Sequence, residues 1–158
     1  MVTHLFNGMG PLHHREPGLP GAALDDDRLT PTLIADLVHV HPAALRLAIA
    51  RKPNVALVTD AVAVDGTTTV ARDGAAYVAG TDTLAGSVLH LDTAVRNVVA
   101  LGVPVSRASA MAAAVPAAAL GLAGRGTLAP GTRADVVALD PDTGELRAVW
   151  IGGVPVRR

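Results

Sequence analysis

A helix between two apolar segments is the feature that most constrains the fold of this chain. Segments 33–40 and 55–58 are predicted strands. Segment 42–51 between them is a predicted helix, because Pro42 suits the first helical position and the apolar residues recur on one face. A continuous apolar run such as 55–58 is typical of strands buried on both faces in parallel sheets. Together the three segments predict a βαβ unit, and therefore an α/β fold.

The rest of the chain contains two kinds of material. Further predicted elements are a strand at 2–6, a long loop at 7–27, short β segments between 65 and 79, helices at 92–101, 106–114 and 116–122, and strands at 134–139, 148–151 and 154–156. We expect one α/β domain over residues 1–114. A C-terminal helix followed by antiparallel strands is expected over residues 115–158.

Composition excludes several classes of function. The chain has 13 basic and 14 acidic residues, so its charge does not favour a nucleic acid or a membrane surface as partner. Cysteine is absent, so a metal would have to be bound by His, Asp or Glu. The N-terminus has no secretory signal pattern and no apolar run is long enough to span a bilayer. We therefore expect a cytoplasmic protein.

Three polar residues lie at or near the ends of successive predicted strands. They are His4, His39 and Asp60. Ligands bind at this edge of parallel α/β folds, where a carboxylate can act as a general base and imidazole can bind zinc or iron. Taken singly, a histidine on an apolar strand is more often a satisfied core residue, and Asp60 can simply cap the following turn. Both interpretations remain open from position alone.

Three loop segments are candidates for binding an oxyanion. Asn7-Gly8 offers an amide and an unobstructed backbone N–H, and Arg15 in a His-His-Arg loop suits a phosphate, although an ordinary solvated loop is the alternative. Residues 84–87 precede the helix that includes Asp92, and a helix N-terminus can hold a substrate oxygen. That last pattern is weak alone, because most such segments only begin a helix.

Several motifs together carry a resemblance to a known family. They are THLFN at 3–7, HHREPG at 13–18, IAD at 34–36, HVHP at 39–42, LVTDA at 57–61 and LAGS at 84–87. In this order and spacing the chain resembles the N-acetylglucosamine-6-phosphate deacetylases, a metal-dependent family of the amidohydrolase superfamily. The segments 125–131 and 134–137 are shared by many amidohydrolases, whereas the HHREPG loop is more discriminating.

The resemblance implies a fold and a set of roles. The family has a distorted TIM-like (β/α)8 barrel and a small β-sandwich, so this chain would be the last three barrel strands with their helices and the C-terminal strands of the sandwich. The implied roles are metal ligand for His4, phosphate binding for Asn7, the Gly8 backbone and Arg15, sugar contact for His39, general base for Asp60, and lining of the substrate site for Leu84, Ala85 and Gly86.

The resemblance also implies a reaction and partners. The reaction is hydrolysis of N-acetylglucosamine 6-phosphate to glucosamine 6-phosphate and acetate, with a divalent metal that is zinc or else iron. The family is homodimeric, and Arg15 typically reaches the phosphate in the neighbouring subunit.

A catalytic zinc needs about three protein ligands, and only His4 carries over. We therefore expect Met1 to be an internal start in a gene fragment or a split gene, and the isolated chain to be inactive without an upstream partner. The alternatives are an amidohydrolase for another cyclic or acylated amide, and a non-catalytic remnant that binds a sugar phosphate or assembles with a homologue.

Overall fold

The computed structural model describes residues 1–156. Within this range the chain forms five α-helices and eight strands. The helices are α1 (Gly18–Asp25), α2 (Pro42–Arg51), α3 (Leu91–Ala100), α4 (Val105–Ala112) and α5 (Ala114–Ala119). The strands are β1 (Thr32–Ile34), β2 (Ala56–Val58), β3 (Thr69–Arg72), β4 (Ala75–Val78), β5 (Leu84–Ser87), β6 (Val136–Leu139), β7 (Leu146–Ile151) and β8 (Val154–Pro155). None of the helices in this range is both long enough and apolar enough to cross a membrane.

The predicted βαβ unit is confirmed. Strands β1 and β2 are parallel, with Leu33 opposite Leu57, and α2 connects them with the predicted bounds. Pro42 occupies the first turn of α2, where its missing N–H costs no hydrogen bond. The side chain of His41 caps the helix by accepting from the backbone N–H of Ala43 at 3.2 Å.

The predicted strands at 2–6 and 33–40 are wrong in extent. Only Val2 is extended enough to pair, in a single parallel bridge with Pro31. His4 and Phe6 have φ angles of 36° and 77°, which end the extended conformation. Strand β1 likewise stops at Ile34, and a turn follows it.

Two further predictions differ from the structure. The predicted loop at 7–27 contains α1, whose Pro20 lies in the first turn, where proline is tolerated. Residues 84–87, expected only to precede the helix that includes Asp92, form the strand β5; that helix is α3, which begins at Leu91, one residue before the predicted start. The strand is possible because β5 pairs with β4, and that tertiary pairing overrides the weak local preference of Leu-Ala-Gly-Ser.

The two antiparallel sheets have simple topology. The order is β3-β4-β5 in one and β6-β7-β8 in the other. The first sheet is inserted between the end of β2 and the start of α3, so it lies in the loop that follows the parallel unit. The predicted antiparallel strands near the C-terminus are confirmed as β6 to β8.

The core lies between β1, β2 and helices α2 to α4. Every residue of β1 is buried, and the facing helices contribute aliphatic side chains in place of aromatic ones. The fully buried apolar side chains include Leu5, Leu33, Ile34, Leu45, Val55, Val98 and Met111. This core fixes the carboxyl ends of the parallel segments, where the candidate residues lie.

Candidate functional site

The candidate residues His4, His39 and Asp60 lie after three adjacent parallel segments. Val2 bridges Pro31 beside β1, and β1 pairs with β2, so the three segments run in the same direction. Ser87 extends the array, because it forms a parallel bridge with Ala61, just after β2. The structure therefore brings the residues that follow these segments to one edge, as parallel topology requires.

Left-handed backbone follows each of the three segments. His4 has a φ of 36°, Leu37 one of 68° and Asp60 one of 50°. Each such conformation costs a non-glycine residue about 1–2 kcal/mol. Strained residues persist where the surroundings hold them, and they cluster at functional sites. Their recurrence at one edge marks this edge as the candidate site.

The imidazole of His4 has an unsatisfied nitrogen. Its Nδ1 is buried and has no hydrogen-bond partner among the described residues. The backbone of His4 is well held, since its N–H donates to Thr32 Oγ1 at 2.7 Å and its carbonyl accepts from Asn7 at 2.9 Å. Buried polar atoms are nearly always paired, so this nitrogen is suited to a ligand that the structure does not contain.

The turn after His4 also holds Asn7 and Gly8. The Asn7 amide nitrogen lies 3.3 Å from the carbonyls of His4 and of Leu5, which ties this side chain to the turn. Gly8 has a φ of 60°, and a Cβ there would lie 3.5 Å from Cε1 of His4. The structure thus brings His4, Asn7 and Gly8 together in one short turn.

The side chain of His39 is held by Asp36. Asp36 Oδ2 lies 2.6 Å from His39 Nδ1, and the two side chains are only 3% and 5% exposed. The other carboxylate oxygen, Oδ1, accepts from the backbone N–H groups of Val38 and His39 at 3.0 and 2.9 Å. Sequence reasoning did not assign Asp36 a role, although the Asp-x-x-His spacing after a strand is a signal for such a turn.

Asp60 is exposed, and its backbone is fixed by the end of β5. Its carbonyl accepts from the N–H of Ser87 at 2.9 Å, while its carboxylate makes no hydrogen bond or ion pair with residues 1–156. Gly86 packs against it so closely that a Cβ would lie 2.9 Å from the Asp60 carbonyl oxygen. The predicted segment Leu84, Ala85 and Gly86 therefore lies beside Asp60, as part of a strand.

Arg15 lies in an exposed loop. Its backbone N–H donates to His13 Nδ1 at 3.3 Å, and the rings of His13 and His14 are 4.3 Å apart. Its guanidinium makes no hydrogen bond or ion pair within residues 1–156, so it is free for an anion. Arg15 makes no hydrogen bond or ion pair with the turn of His4, Asn7 and Gly8.

Three polar side chains, two buried and one half-buried, hold the segment ends in place. Thr32 accepts from the N–H of His4, Asn97 of α3 donates to the carbonyl of Ala35 at 2.8 Å, and the hydroxyl of Ser87 donates to the carbonyl of Thr59. Sequence reasoning did not identify Thr32 or Asn97, and it included Ser87 only as part of the candidate segment 84–87. A hydroxyl within an otherwise apolar strand is the signal that could have identified Thr32.

The shifted pKa values lie elsewhere in the chain. A side-chain hydrogen bond from Arg28 lowers the pKa of Asp26 to about 2. Hydrogen bonds from the Thr68 hydroxyl and from three backbone N–H groups hold the pKa of Asp65 well below its usual range. Both carboxylates stabilise the loops in which they lie, so these shifts do not indicate catalysis.

An apolar groove of about 570 Å³ lies between helices α3 to α5 and the β6-β7-β8 sheet. Val95, Ala117, Leu128 and Val149 are among its lining residues. None of the predicted site residues lines it. The groove is therefore separate from the edge at which His4, His39 and Asp60 lie.

Comparisons with known proteins identify relatives over nearly the whole chain. A family model described as the amidohydrolase family matches residues 3–156. The N-acetylgalactosamine-6-phosphate deacetylase of Escherichia coli O157:H7 is 44% identical over 164 residues, which cover 96% of this chain and 43% of that protein. The putative N-acetylgalactosamine-6-phosphate deacetylase of Escherichia coli (strain K12) is 44% identical over 162 residues, covering 95% of this chain and 96% of that protein.

Solved structures give the same result. The crystal structure of N-acetylglucosamine-6-phosphate deacetylase from Pasteurella multocida matches with a TM-score of 0.88 and 30% identity, covering 99% of this chain and 44% of that one. The chain thus spans less than half the length of this protein and of the O157:H7 protein.

Proposed function

This chain belongs to the amidohydrolase family, and we propose that it acts in the hydrolysis of the acetamide of N-acetylglucosamine 6-phosphate, which yields glucosamine 6-phosphate and acetate. The observation that carries the proposal is the edge where His4, His39 and Asp60 follow three parallel segments, with left-handed backbone after each. The deacetylases named above supply the substrate class.

Asp60 is the proposed general base. Its carboxylate is exposed and unpaired within residues 1–156, so it can take a proton from water and then deliver it to the leaving amine. Its left-handed backbone is fixed by Ser87, which aims the side chain without occupying its oxygens. Leu84, Ala85 and Gly86 line the proposed substrate site beside it.

The proposed substrate contacts divide into two groups. Asn7 and the Gly8 backbone bind the phosphate, and the unpaired guanidinium of Arg15 supplies a charged contact to a phosphate. His39 contacts the sugar.

The amidohydrolase family implies a divalent metal, for which zinc is proposed and iron is the alternative. The buried, unpaired Nδ1 of His4 fits a metal ligand. Residues 1–156 contain no group of three His, Cys, Asp or Glu side chains that could hold a metal, so His4 would be one ligand among others from elsewhere. When bound, a metal would polarise the amide carbonyl and lower the pKa of water.

The proposal extends to architecture. We propose that residues 1–114 belong to a TIM-like (β/α)8 barrel and that the complete enzyme is a homodimer. The helix and strands of a β-sandwich are proposed for residues 115–158, of which 157 and 158 lie outside the described residues. The TM-score of 0.88 to the Pasteurella multocida structure supports a shared fold over the matched residues.

The epimeric substrate is a second candidate. Two relatives at 44% identity are named as N-acetylgalactosamine-6-phosphate deacetylases, one of them putatively. The two sugars differ at one hydroxyl, so a site that pairs this hydroxyl would discriminate between them strongly.

The experiment measures binding and acetate release by the purified chain with added Zn²⁺, using both 6-phosphates and unphosphorylated N-acetylglucosamine. Arg15→Ala should weaken affinity only for the phosphorylated sugars, whereas Arg46→Ala, an exposed control, should change nothing. Affinity that ignores the phosphate would refute the proposal in favour of another amidohydrolase. The chain alone is expected to bind without releasing acetate, because His4 is the one metal ligand proposed within residues 1–156; tightly bound stoichiometric metal together with acetate release would overturn that expectation.

A further inference from the structure

The buried pair of Asp36 and His39 determines which imidazole nitrogen a ligand can meet. Asp36 directs all of its hydrogen bonds into its own turn, through Oδ1 to two backbone N–H groups and through Oδ2 to His39 Nδ1. Because Oδ1 accepts from two backbone N–H groups, it acts as an acceptor and carries no proton. An ionised carboxylate can only accept, so the proton between Oδ2 and Nδ1 belongs to the imidazole.

The other nitrogen, Nε2, remains available. It makes no hydrogen bond within residues 1–156, and it is not one of the fully buried side-chain atoms there that have no partner. In a neutral imidazole with its proton on Nδ1, Nε2 is an acceptor. It would suit a hydroxyl or an amide N–H, and it would not suit the oxygens of a phosphate.

We propose that Asp36 is a positioning residue that fixes His39 in the Nδ1–H tautomer, so that Nε2 accepts a hydrogen bond from a hydroxyl or amide N–H of the bound sugar. The sugar contact rests on the proposed function, whereas the tautomer does not. The proposal separates the histidine from phosphate binding, which falls to Asn7, Gly8 and Arg15.

The first test is ¹⁵N NMR of the histidines in the purified chain at about pH 8, where a histidine of ordinary pKa is neutral. The wild type should show His39 protonated on Nδ1. In Asp36→Asn the amide can keep its oxygen on the backbone donors and turn its NH₂ toward Nδ1, so the proton should move to Nε2. Asp142→Asn, an exposed control, should leave the His39 signals unchanged.

Two NMR results would contradict the proposed tautomer. A wild-type His39 protonated on Nε2 would overturn the proposal, as would a folded Asp36→Asn variant with an unchanged tautomer. The wild-type spectrum decides the tautomer even if the variant does not fold.

The second test titrates N-acetylglucosamine 6-phosphate and inorganic phosphate into the chain. Asp36→Asn places a donor on Nε2 opposite a ligand donor, so affinity for the sugar phosphate should fall about tenfold while affinity for phosphate stays within about twofold. An equal loss for both ligands would show a general structural role and overturn the proposal. If the wild type binds neither ligand, the proposed function and the sugar contact fail together, while the NMR result still decides the role of Asp36.

Discussion

Replacing Gly86 with alanine should destabilise the chain through the backbone of Asp60. A Cβ on Gly86 would lie 2.7 Å from Val62 Cγ1 and 2.9 Å from the Asp60 carbonyl oxygen, whereas carbon atoms in good contact are about 3.5–4.0 Å apart. Gly86 also has a φ of 147°, which other residues rarely adopt. Overpacking costs about 1–3 kcal/mol and the backbone strain about 1–3 kcal/mol. The free energy of unfolding should therefore fall by about 2–6 kcal/mol.

Gly80→Ala is the matched control. Gly80 has a φ of 74°, and a Cβ at this position would meet no atom within 4 Å, so only the backbone cost of about 1–2 kcal/mol applies. Both variants stiffen the unfolded chain equally, and that contribution cancels in the comparison. Urea unfolding followed by far-UV circular dichroism measures the difference.

A further variant isolates the steric part. Val62→Ala removes the two γ carbons that lie 2.7 and 3.2 Å from the added Cβ, but it leaves the Asp60 carbonyl in place. The loss of unfolding free energy in the double variant should therefore be smaller than the sum of the losses in the two single variants. The reasoning is refuted if Gly86→Ala costs no more than Gly80→Ala, or if the double variant is additive.

Two other predictions concern buried and exposed polar groups. Ser87→Ala should lower the free energy of unfolding by about 1–3 kcal/mol, because the buried hydroxyl donates to the Thr59 carbonyl and accepts from the backbone N–H of Leu89. Ser106→Ala, at an exposed position, is the control. Equal losses for the two variants in urea unfolding would contradict this prediction. The pKa of Asp26 lies at about 2, below its ordinary value of 3.8. The ionised carboxylate therefore stabilises the folded chain above about pH 4, and this stabilisation is lost as the pH falls from about 4 to about 2. Carboxyl NMR should show that Arg28→Ala raises this pKa toward 3.8, and an unchanged value would refute the assigned cause.

The regular elements were predictable because local preference and tertiary context agree there. Pro42 begins α2 in the structure as the sequence predicts, and the run at 55–58 becomes a parallel strand. Segment 84–87 was not predicted as a strand, since Leu-Ala-Gly-Ser has a weak strand preference and the strand depends on pairing with β4. The prediction of a strand at 2–6 was wrong in extent for a related reason. The left-handed backbone at His4 depends on a hydrogen bond to the neighbouring segment.

The candidate site was likewise predictable where strand position determines it and not where tertiary contacts do. Strand-end position sufficed to select His39 and Asp60 as candidates, because parallel topology brings such ends to one edge. It did not reveal Asp36, whose importance comes from a side chain that is only 3% exposed and from bonds that only the folded turn creates. The roles of Arg15 and of the remaining site residues stay predictions.

The close approach of Gly86 to Asp60 restricts which positions of the segment 84–86 can carry a different side chain. Position 86 has no room for a side chain, so any side chain there would displace the backbone of Asp60 or the side chain of Val62. Leu84 is exposed and Ala85 half-buried, and neither meets that restriction. Under the proposed lining role, the side chains at positions 84 and 85 can therefore vary without moving Asp60, whereas position 86 is restricted by the Asp60 carbonyl oxygen, a backbone atom that no substitution removes.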